Sequence, residues 1–487
     1  MKKVWNGITS WPVVLSVQAV ASVMFVLNLI KLGALPQKYL WVLIAGVVLL
    51  GAAIGFLMKP SKEEGKGKIR QIIGKVLSIG LSIVFFMGAS YVKQGTEVIE
   101  EVTGASEQTN HFSLLVSEDS TYTDVTDLAF RMVGMSPEYD TEAHFTEAQN
   151  ALIAENLDIR ITEYASYAAL IEALYQGELD GIYVNEGYNG LFEEDYPTFL
   201  EDFKSIWSYD IVEQIIDITK KVDVTNRTFT VFISGIDTSG KVSTVSRSDV
   251  NMLVTVNPVT KDILMVSIPR DYYVTLANKG KADKLTHAGL GGVENSVKTI
   301  ENFMGIDINY YMRVNFTSLV KIVDALGGIT VESPVAFTTR HNSFQVVEGL
   351  NEMNGEQALG FVRERYSLKG GDVDRAMNQQ RVLSAMLKKA MSPAILTNYS
   401  EIMESVQGSF ETNISSEEIM NLMRMQLTDM ASWNIHQTVL SGNGTRMTGG
   451  AYMPGSSLYY MIPDEESVRE ATTLIRKMIS GEKISIE

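Results

Sequence analysis

Three apolar runs crowd into the first 92 residues: Val13 to Ile30, Leu40 to Met58 and Ile72 to Val92. A backbone in hydrocarbon must satisfy its own polar groups, and a helix needs roughly 20 apolar residues to cross. The third run has Lys75 near its start, so its span is expected to begin at Val76. Trp5, Trp11, Tyr39, Trp41 and Tyr91 stand near the ends, where interfacial aromatics belong. A cleaved signal peptide is the competing reading of the first run. No clear small-residue cleavage site supports it, and two further runs follow. Residues 1–95 are therefore expected to be a membrane region with three transmembrane helices.

Basic residues set the orientation. The linker KPSKEEGKGKIRQIIGK carries Lys59, Lys62, Lys66, Lys68, Arg70 and Lys75, and the N-terminus carries Lys2 and Lys3. Between the first two spans stand only Lys31 and Lys38. The positive-inside rule places the N-terminus and the second linker in the cytoplasm. Everything after about Lys93 is then extracellular, on a multi-pass protein of the cell membrane. No nucleotide is supplied there, so an enzyme on that side needs a substrate that brings its own high-energy bond.

Composition excludes several chemistries. With no cysteine there are no disulfides, thiolate metal sites or cysteine nucleophiles. The five histidines (111, 144, 287, 341, 436) show no metal-ligand spacing, which argues against zinc. A formal net charge of −17 argues against nucleic acid as the main partner. No P-loop, G-x-G-x-x-G or G-x-S-x-G pattern is present.

Gln94 to Gly104 is polar and reads as a stalk. The strand-like HFSLLVS and DIRITEY, and the helix-then-strand pattern of SYAALIEALYQGELDGIYV, make residues 105–225 a small α/β accessory domain. Its acidic end (Glu193, Glu194, Asp195, Glu201, Asp202) reads as a solvated face, and the unit shows no chemistry. Residues 226–485 form a second domain. Strands are expected at Phe229 to Ser234, Met252 to Val256 and in DILMVSIPRD, with helices near Asn295 to Met304 and Phe316 to Leu326. That alternation predicts an α/β fold, a mixed sheet flanked by helices.

Strand ends and the loops after them collect ligand groups in such folds. Asp237 and Asp249 flank consecutive strands in GIDT and SRSD, and two carboxylates plus phosphate oxygens suit a hard cation such as magnesium. Read singly, each is an ordinary turn aspartate. In FVRERY a strand period of two would put Arg363 and Arg365 on one face and Glu364 on the other. In DVDRAMNQQ a helical period puts Arg375 and Gln379 together. Guanidinium forks suit phosphates, whereas Lys369 and Arg381 read as solvent-facing. A surface ion-pair network explains the same residues, and spacing alone leaves both readings open.

The motifs GIDT, SRSDVNMLVTVNP, VSIPRD, KLTHAG, DALGGITVESP, GEQALGFVRER and DVDRAMNQQ occur in one order over about 150 residues. Together they resemble the catalytic domain of the LytR-CpsA-Psr family. The three spans and the accessory domain resemble its streptococcal capsule-biosynthesis members, the CpsA or Wzg type. The resemblance implies a phosphotransferase that moves a glycopolymer from a polyprenyl-pyrophosphate carrier to the 6-hydroxyl of N-acetylmuramic acid in peptidoglycan. It implies magnesium on Asp237 and Asp249, and pyrophosphate contacts from Arg270, Arg363 and Arg365. It adds Asp372, Arg375 and Gln379 as head-group residues, with Asp372 the candidate general base. Many members carry arginine where Asn378 stands. Lys284 and His287 are implied near the site, His287 in a structural role. Expected partners are the lipid-linked polysaccharide, peptidoglycan, membrane lipid and other capsule-assembly membrane proteins. Met252, Leu253, Val254, Leu319, Ile322, Leu383 and Leu387 are candidates to line a channel for the lipid tail, or ordinary core. Two alternatives stay open: a non-catalytic membrane regulator that binds lipid-linked polysaccharide, and a transcriptional attenuator using the basic linker. No helix-turn-helix pattern accompanies that linker.

Overall fold

The computed structural model describes residues 10–60, 67–103, 107–155, 158–236, 241–392, 402, 405 and 407–485. Asp237, Trp5, Lys2, Lys3, Lys62 and Lys66 lie outside them. Three helices are long and apolar enough to cross a membrane: α1 (Trp11–Leu32), α2 (Gln37–Met58) and α3 (Lys68–Val102). Pro12 at the start of α1 and left-handed Gly33 after it delimit the first. Inside the bundle Ser78 Oγ donates to Gln18 Oε1 at 2.7 Å, and Asn28 Nδ2 donates to the Ala89 carbonyl at 2.9 Å. Buried polar pairs of this kind serve as interhelical glue where water is absent. The expected stalk is instead the continuation of α3. Val98, Ile99 and Val102 are buried there, because packing against the following domain offsets the weak propensity of a polar segment.

Next come β1 (Glu107–Ser117), β2 (Met132–Met135), α4 (Glu142–Glu155), β3 (Arg160–Glu163), α5 (Tyr167–Tyr175), β4 (Gly181–Asn185), α6 (Asn189–Asp195), α7 (Phe199–Asp202) and β5 (Phe203–Gln214). Their five strands run β3-β2-β4-β1-β5 in a mixed sheet. Ser166 caps α5 through the Ala169 N–H, and Gly177 at φ +74° turns the chain toward β4.

The larger unit follows. It comprises β6 (Phe229–Ile236), β7 (Ser248–Asn257), β8 (Asp262–Ile268), β9 (Tyr273–Thr275), β10 (Ala282–Lys284), α8 (Gly292–Met304), β11 (Tyr310–Asn315) and α9 (Phe316–Ala325). Beyond these are β12 (Ile329–Ser333), β13 (Phe337–Thr338), β14 (Gln345–Val346), β15 (Gly349–Met353), α10 (Gly355–Arg363) and α11 (Asp372–Ala390). The chain closes with β16 (Phe410–Thr412), α12 (Ser416–Asp429), β17 (Asn434–Val439), β18 (Gly442–Met447), β19 (Leu458–Pro463) and α13 (Glu465–Ile479). The central sheet runs β16-β11-β6-β7-β8-β17, parallel at β11–β6 and β8–β17 and antiparallel elsewhere.

Every residue of β8 is buried, so both sheet faces must be covered. On one face Leu253, Leu264, Val266 and Ile268 pack with Val297, Ile300, Ile475 and Met478 of α8 and α13. On the other, Met252, Val254, Ile263 and Met265 meet Leu383 and Leu387 of α11. The strand period thus separates Leu253 from the other channel candidates. Leu319 and Ile322 pack in a third cluster with α10, α11 and β12. The first cluster crosses between the two sheets, holding Leu115, Leu170, Val184 and Leu191 as well as Leu290 and Tyr452.

Candidate active site

Asp249 owes its position to an irregularity. Gly235 pairs with Val250 and Ile236 with Ser248, so Asp249 is the extra residue of a bulge on β7. Gly235 is required there, since a Cβ would stand 2.6 Å from the Val250 Cβ. On its other edge β7 pairs with β8 in the register Asn251↔Ile268. Two residues further, that register puts Asp249 opposite Arg270, and Arg270 Nη1 donates to Asp249 Oδ2 at 2.8 Å. Thr286 Oγ1 donates to Asp249 Oδ1 at 2.9 Å. Burial would push this carboxyl up, but the charges of Arg270 and Arg247, the Thr286 bond and Arg375 outweigh it and hold Asp249 below the usual range. Reciprocally, Asp249 raises Arg270 against the opposing effect of desolvation, with Asp271 and Asp372 adding to it.

A cleft at these strand ends is lined by Asp249, Arg270, Asp271, Asp372, Arg375 and Gln379. Arg375 and Gln379 stand on one face of α11, four residues apart as the helical period requires. Asp372 Oδ1 lies 2.9 Å from Arg375 Nη2 and 3.8 Å from Arg365 Nη1. Among the described residues Arg270 Nε is buried without a hydrogen-bond partner, and Asp271 Oδ2 lies 3.6 Å from it. Desolvation lowers Arg375, and Arg270 and Arg365 push the same way against Asp372 and Asp249. Three guanidinium groups around partly buried carboxylates make a site for an anion with several oxygens.

The segment FVRER is not a strand. An N-terminal box of Asn354 and Gln357 starts α10, and Arg363 is its last residue. Exposed Arg363 lies over the Phe316 ring, 4.6 Å from its centroid, and does not line the cleft. Buried Glu364 accepts the N–H groups of Arg340, Arg365 and Ser367, which turns the chain and sends Arg365 toward Asp372. Lys369 is exposed as expected, whereas Arg381 is half-buried and donates to Asn378 Oδ1 at 2.7 Å. Desolvation accordingly lowers Arg381. Asn378 is itself buried, with Nδ2 3.4 Å from the Phe361 carbonyl, and so links α11 to α10 rather than facing the cleft. Lys284 is buried with Nζ 3.6 Å from Asp271 Oδ1. His287 sits in the core, 3.0 Å from Asp283 Oδ1 and edge-on to Tyr452.

Arg247, inside the SRSD motif, went unassigned in the sequence although it precedes Asp249 by the strand period of two. Thr286, in KLTHAG, was missed because a hydroxyl in a loop gives no signal. Magnesium fits the chemistry of the cleft at Asp249: the carboxylate is held ionised, and each oxygen accepts one hydrogen bond among the described residues. No group of three or more His, Asp or Glu side chains surrounds a common point among those residues. An ion on Asp249 would take its remaining ligands from outside the described side chains, such as substrate oxygens and water, as magnesium commonly does.

The sequence profile of the LytR_cpsA_psr family matches residues 207–476, over half of the chain. The Bacillus anthracis protein named polyisoprenyl-teichoic acid–peptidoglycan teichoic acid transferase TagU is 36% identical over 219 residues, 45% of this chain and 69% of that protein. Its namesake in Bacillus licheniformis is 31% identical over 261 residues, 53% of this chain and 81% of the relative. The crystal structure of B. subtilis TagU shares 29% identity at a TM-score of 0.42, covering 54% of this chain and 100% of that one. With motifs, profile and relatives in agreement, the chain belongs to the LytR_cpsA_psr family.

Proposed function

We propose that this protein transfers a glycopolymer from a polyprenyl-pyrophosphate carrier to peptidoglycan, forming a phosphodiester and releasing polyprenyl phosphate. The observation that carries it is the cleft itself: Arg270 is oriented by Asp249 yet keeps a buried Nε with no partner among the described residues, with Arg375 and Gln379 beside it. The relatives are named for teichoic acid transfer to peptidoglycan. Capsular polysaccharide is the finer part of the proposal, supported by the three apolar helices and the 107–214 sheet, an architecture resembling the capsule-biosynthesis members. The lysine distribution supports an extracellular cleft.

The pyrophosphate lies across Arg270, Arg365 and Arg375, whose ion pairs with Asp249 and Asp372 set their directions before substrate arrives. Groups oriented in advance need no reorganisation as charge develops, which is how such donors stabilise a transition state. The acceptor hydroxyl oxygen bonds to the sugar-side phosphorus, and the bond from that phosphorus to the bridging oxygen breaks. The bridging oxygen leaves with polyprenyl phosphate, and the hydroxyl proton passes to Asp372. Magnesium held by Asp237 and Asp249 would neutralise charge on the phosphate oxygens. The test is full-length protein with a polyprenyl-pyrophosphate oligosaccharide, magnesium and peptidoglycan fragments. Release of polyprenyl phosphate with a new phosphodiester is expected; binding of the donor without release would instead identify a regulator.

A further inference from the structure

The 107–214 unit grips the loop that delivers Asp249. Thr109 of β1 pairs with that loop on both sides. Its N–H donates to the Ser243 carbonyl at 2.9 Å, and its carbonyl accepts from the Val245 N–H at 2.8 Å. Lys241 Nζ reaches Asp210 Oδ2 of β5 at 2.9 Å. Arg247 Nη1 donates to the Gly190 carbonyl of α6 at 3.0 Å. Two glycines of this unit permit the approach: a Cβ at Gly187 would meet the Val245 carbonyl oxygen at 2.9 Å, and one at Gly190 would overlap the Arg247 guanidinium. From the opposite side, buried Arg313 of β11 donates to the Ser243 carbonyl at 3.2 Å and to that of Thr244.

Val242, Val245 and Ser246 of this loop are buried, and three elements of the neighbouring unit hold its backbone and its two basic side chains where the chain enters β7. Arg247 stands two residues before Asp249, close enough for its charge to act on the Asp249 carboxylate. We infer that the 107–214 unit is a positioning element of the cleft, in which the Gly190 carbonyl and the Thr109 backbone hold Arg247 beside Asp249. Gly190 is the positioning residue; the apolar cluster shared by both units makes the grip rigid. The inference rests on the pyrophosphate reading of the cleft and adds a role for the 107–214 unit.

The decisive variant is Gly190→Ala. The site is helical with an ordinary backbone, so alanine costs the fold little and displaces only the Arg247 guanidinium. The full chain in detergent is titrated with farnesyl pyrophosphate, a short soluble polyprenyl pyrophosphate. Gly190→Ala is expected to weaken binding about tenfold, as coupled neighbours do. In an Arg247→Ala background the same change is expected to alter binding by less than about twofold, because the group it displaces is gone. A merely structural role for Gly190 would give equal effects in both backgrounds, and that result overturns the inference. Wild-type affinity in Gly190→Ala overturns it as well. Turnover is followed in parallel with a polyprenyl-pyrophosphate oligosaccharide, magnesium and peptidoglycan fragments. If the wild type binds but releases no polyprenyl phosphate, the transfer reading fails while the affinity comparison still decides the positioning role. If the wild type does not bind, both fail.

Discussion

Replacing Arg270 probes the cleft most directly, because its guanidinium has two tasks. Nη1 is committed to Asp249 at 2.8 Å, while Nε is buried and has no partner among the described residues. Lysine carries the charge but is a single point without a fork, so it can answer Asp249 or a phosphate, not both. Losing one positioned donor to a developing oxyanion costs about 2.7–4 kcal/mol, or about 10²–10³ in kcat. Arg270→Ala is therefore expected to lower polyprenyl phosphate release at saturating donor by about 100-fold, and Arg270→Lys by about tenfold. A second readout separates chemistry from folding. In the wild type Asp249 is held below its unfolded value of about 3.9, so its contribution to stability is full above that pH. It is lost as pH falls through the folded value. Without Arg270, its largest favourable partner, burial gains ground and the folded value rises, so the loss begins at higher pH. Release is measured on full-length protein, and denaturation midpoints are followed from pH 3 to 8. Unchanged kcat in Arg270→Ala would refute the reasoning. So would a lysine variant with wild-type kcat, which would reduce Arg270 to a charge.

Chelation is expected to abolish release and magnesium to restore it, with Asp249→Asn requiring about tenfold more magnesium, within the range for a lost ligand-shell group; release that survives chelation would remove the ion from the scheme. Asp372→Asn keeps the side chain's shape but not its charge, so transfer to peptidoglycan is expected to fall about 10²-fold as for a lost general base; an unimpaired rate would reassign the base. Arg313 is 3% exposed and pairs with Glu411 at 3.7 Å, so Arg313→Met should destabilise the fold by about 3 kcal/mol, read as a urea midpoint. Burial raises Glu411 more than Arg313 lowers it, so its contribution is greatest below pH about 4.5 and fades as pH rises through the folded value. Glu411→Gln should flatten that part of the stability profile, and an unchanged profile would contradict it.

What the sequence conveyed depended on whether local pattern or long-range register carried the information. The apolar runs, the β6–β8 strands and the helix bearing Arg375 and Gln379 follow from hydropathy and period. These signals lie within one segment, and they reached the structure intact. A strand was expected at Arg363 and Arg365 because RER alternates like one, whereas the Asn354–Gln357 box upstream commits the segment to a helix. That capping signal stands seven residues ahead of Phe361, at Asn354. Arg381 was misplaced because its partner Asn378 is polar and looks solvated until α10 covers it. Nothing local could disclose the bulge that frees Asp249 or the grip of Gly190 on Arg247. Each depends on strands meeting in one register, and register is a property of pairs.

The same distinction bears on how a lipid-borne substrate meets the cleft. A flexible ten-residue stalk would let the cleft wander by about 17 Å. Instead α3 has 35 residues and is about 52 Å long, exceeding a hydrocarbon core of about 30 Å. Its far end is seated rather than free. Val98 joins the cluster of Val323, Leu326, Phe361 and Val382, and Arg424 Nε of α12 donates to the Gly33 carbonyl at 2.8 Å. The helix bearing Arg375 is thus packed, through α10, against a helix long and apolar enough to cross a membrane. A pyrophosphate whose tail stays in the bilayer reaches the cleft only if that seating holds; a soluble short-chain pyrophosphate does not depend on it. Val98→Asp, which puts an unpaired charge into the cluster, should therefore lower release from a long-chain donor in vesicles by about tenfold or more, while farnesyl pyrophosphate binding stays within about twofold. Equal losses with both substrates would mean that Val98 supports the domain and not its height above the membrane. Equal retention would mean that the seating of α3 has no part in delivering the lipid.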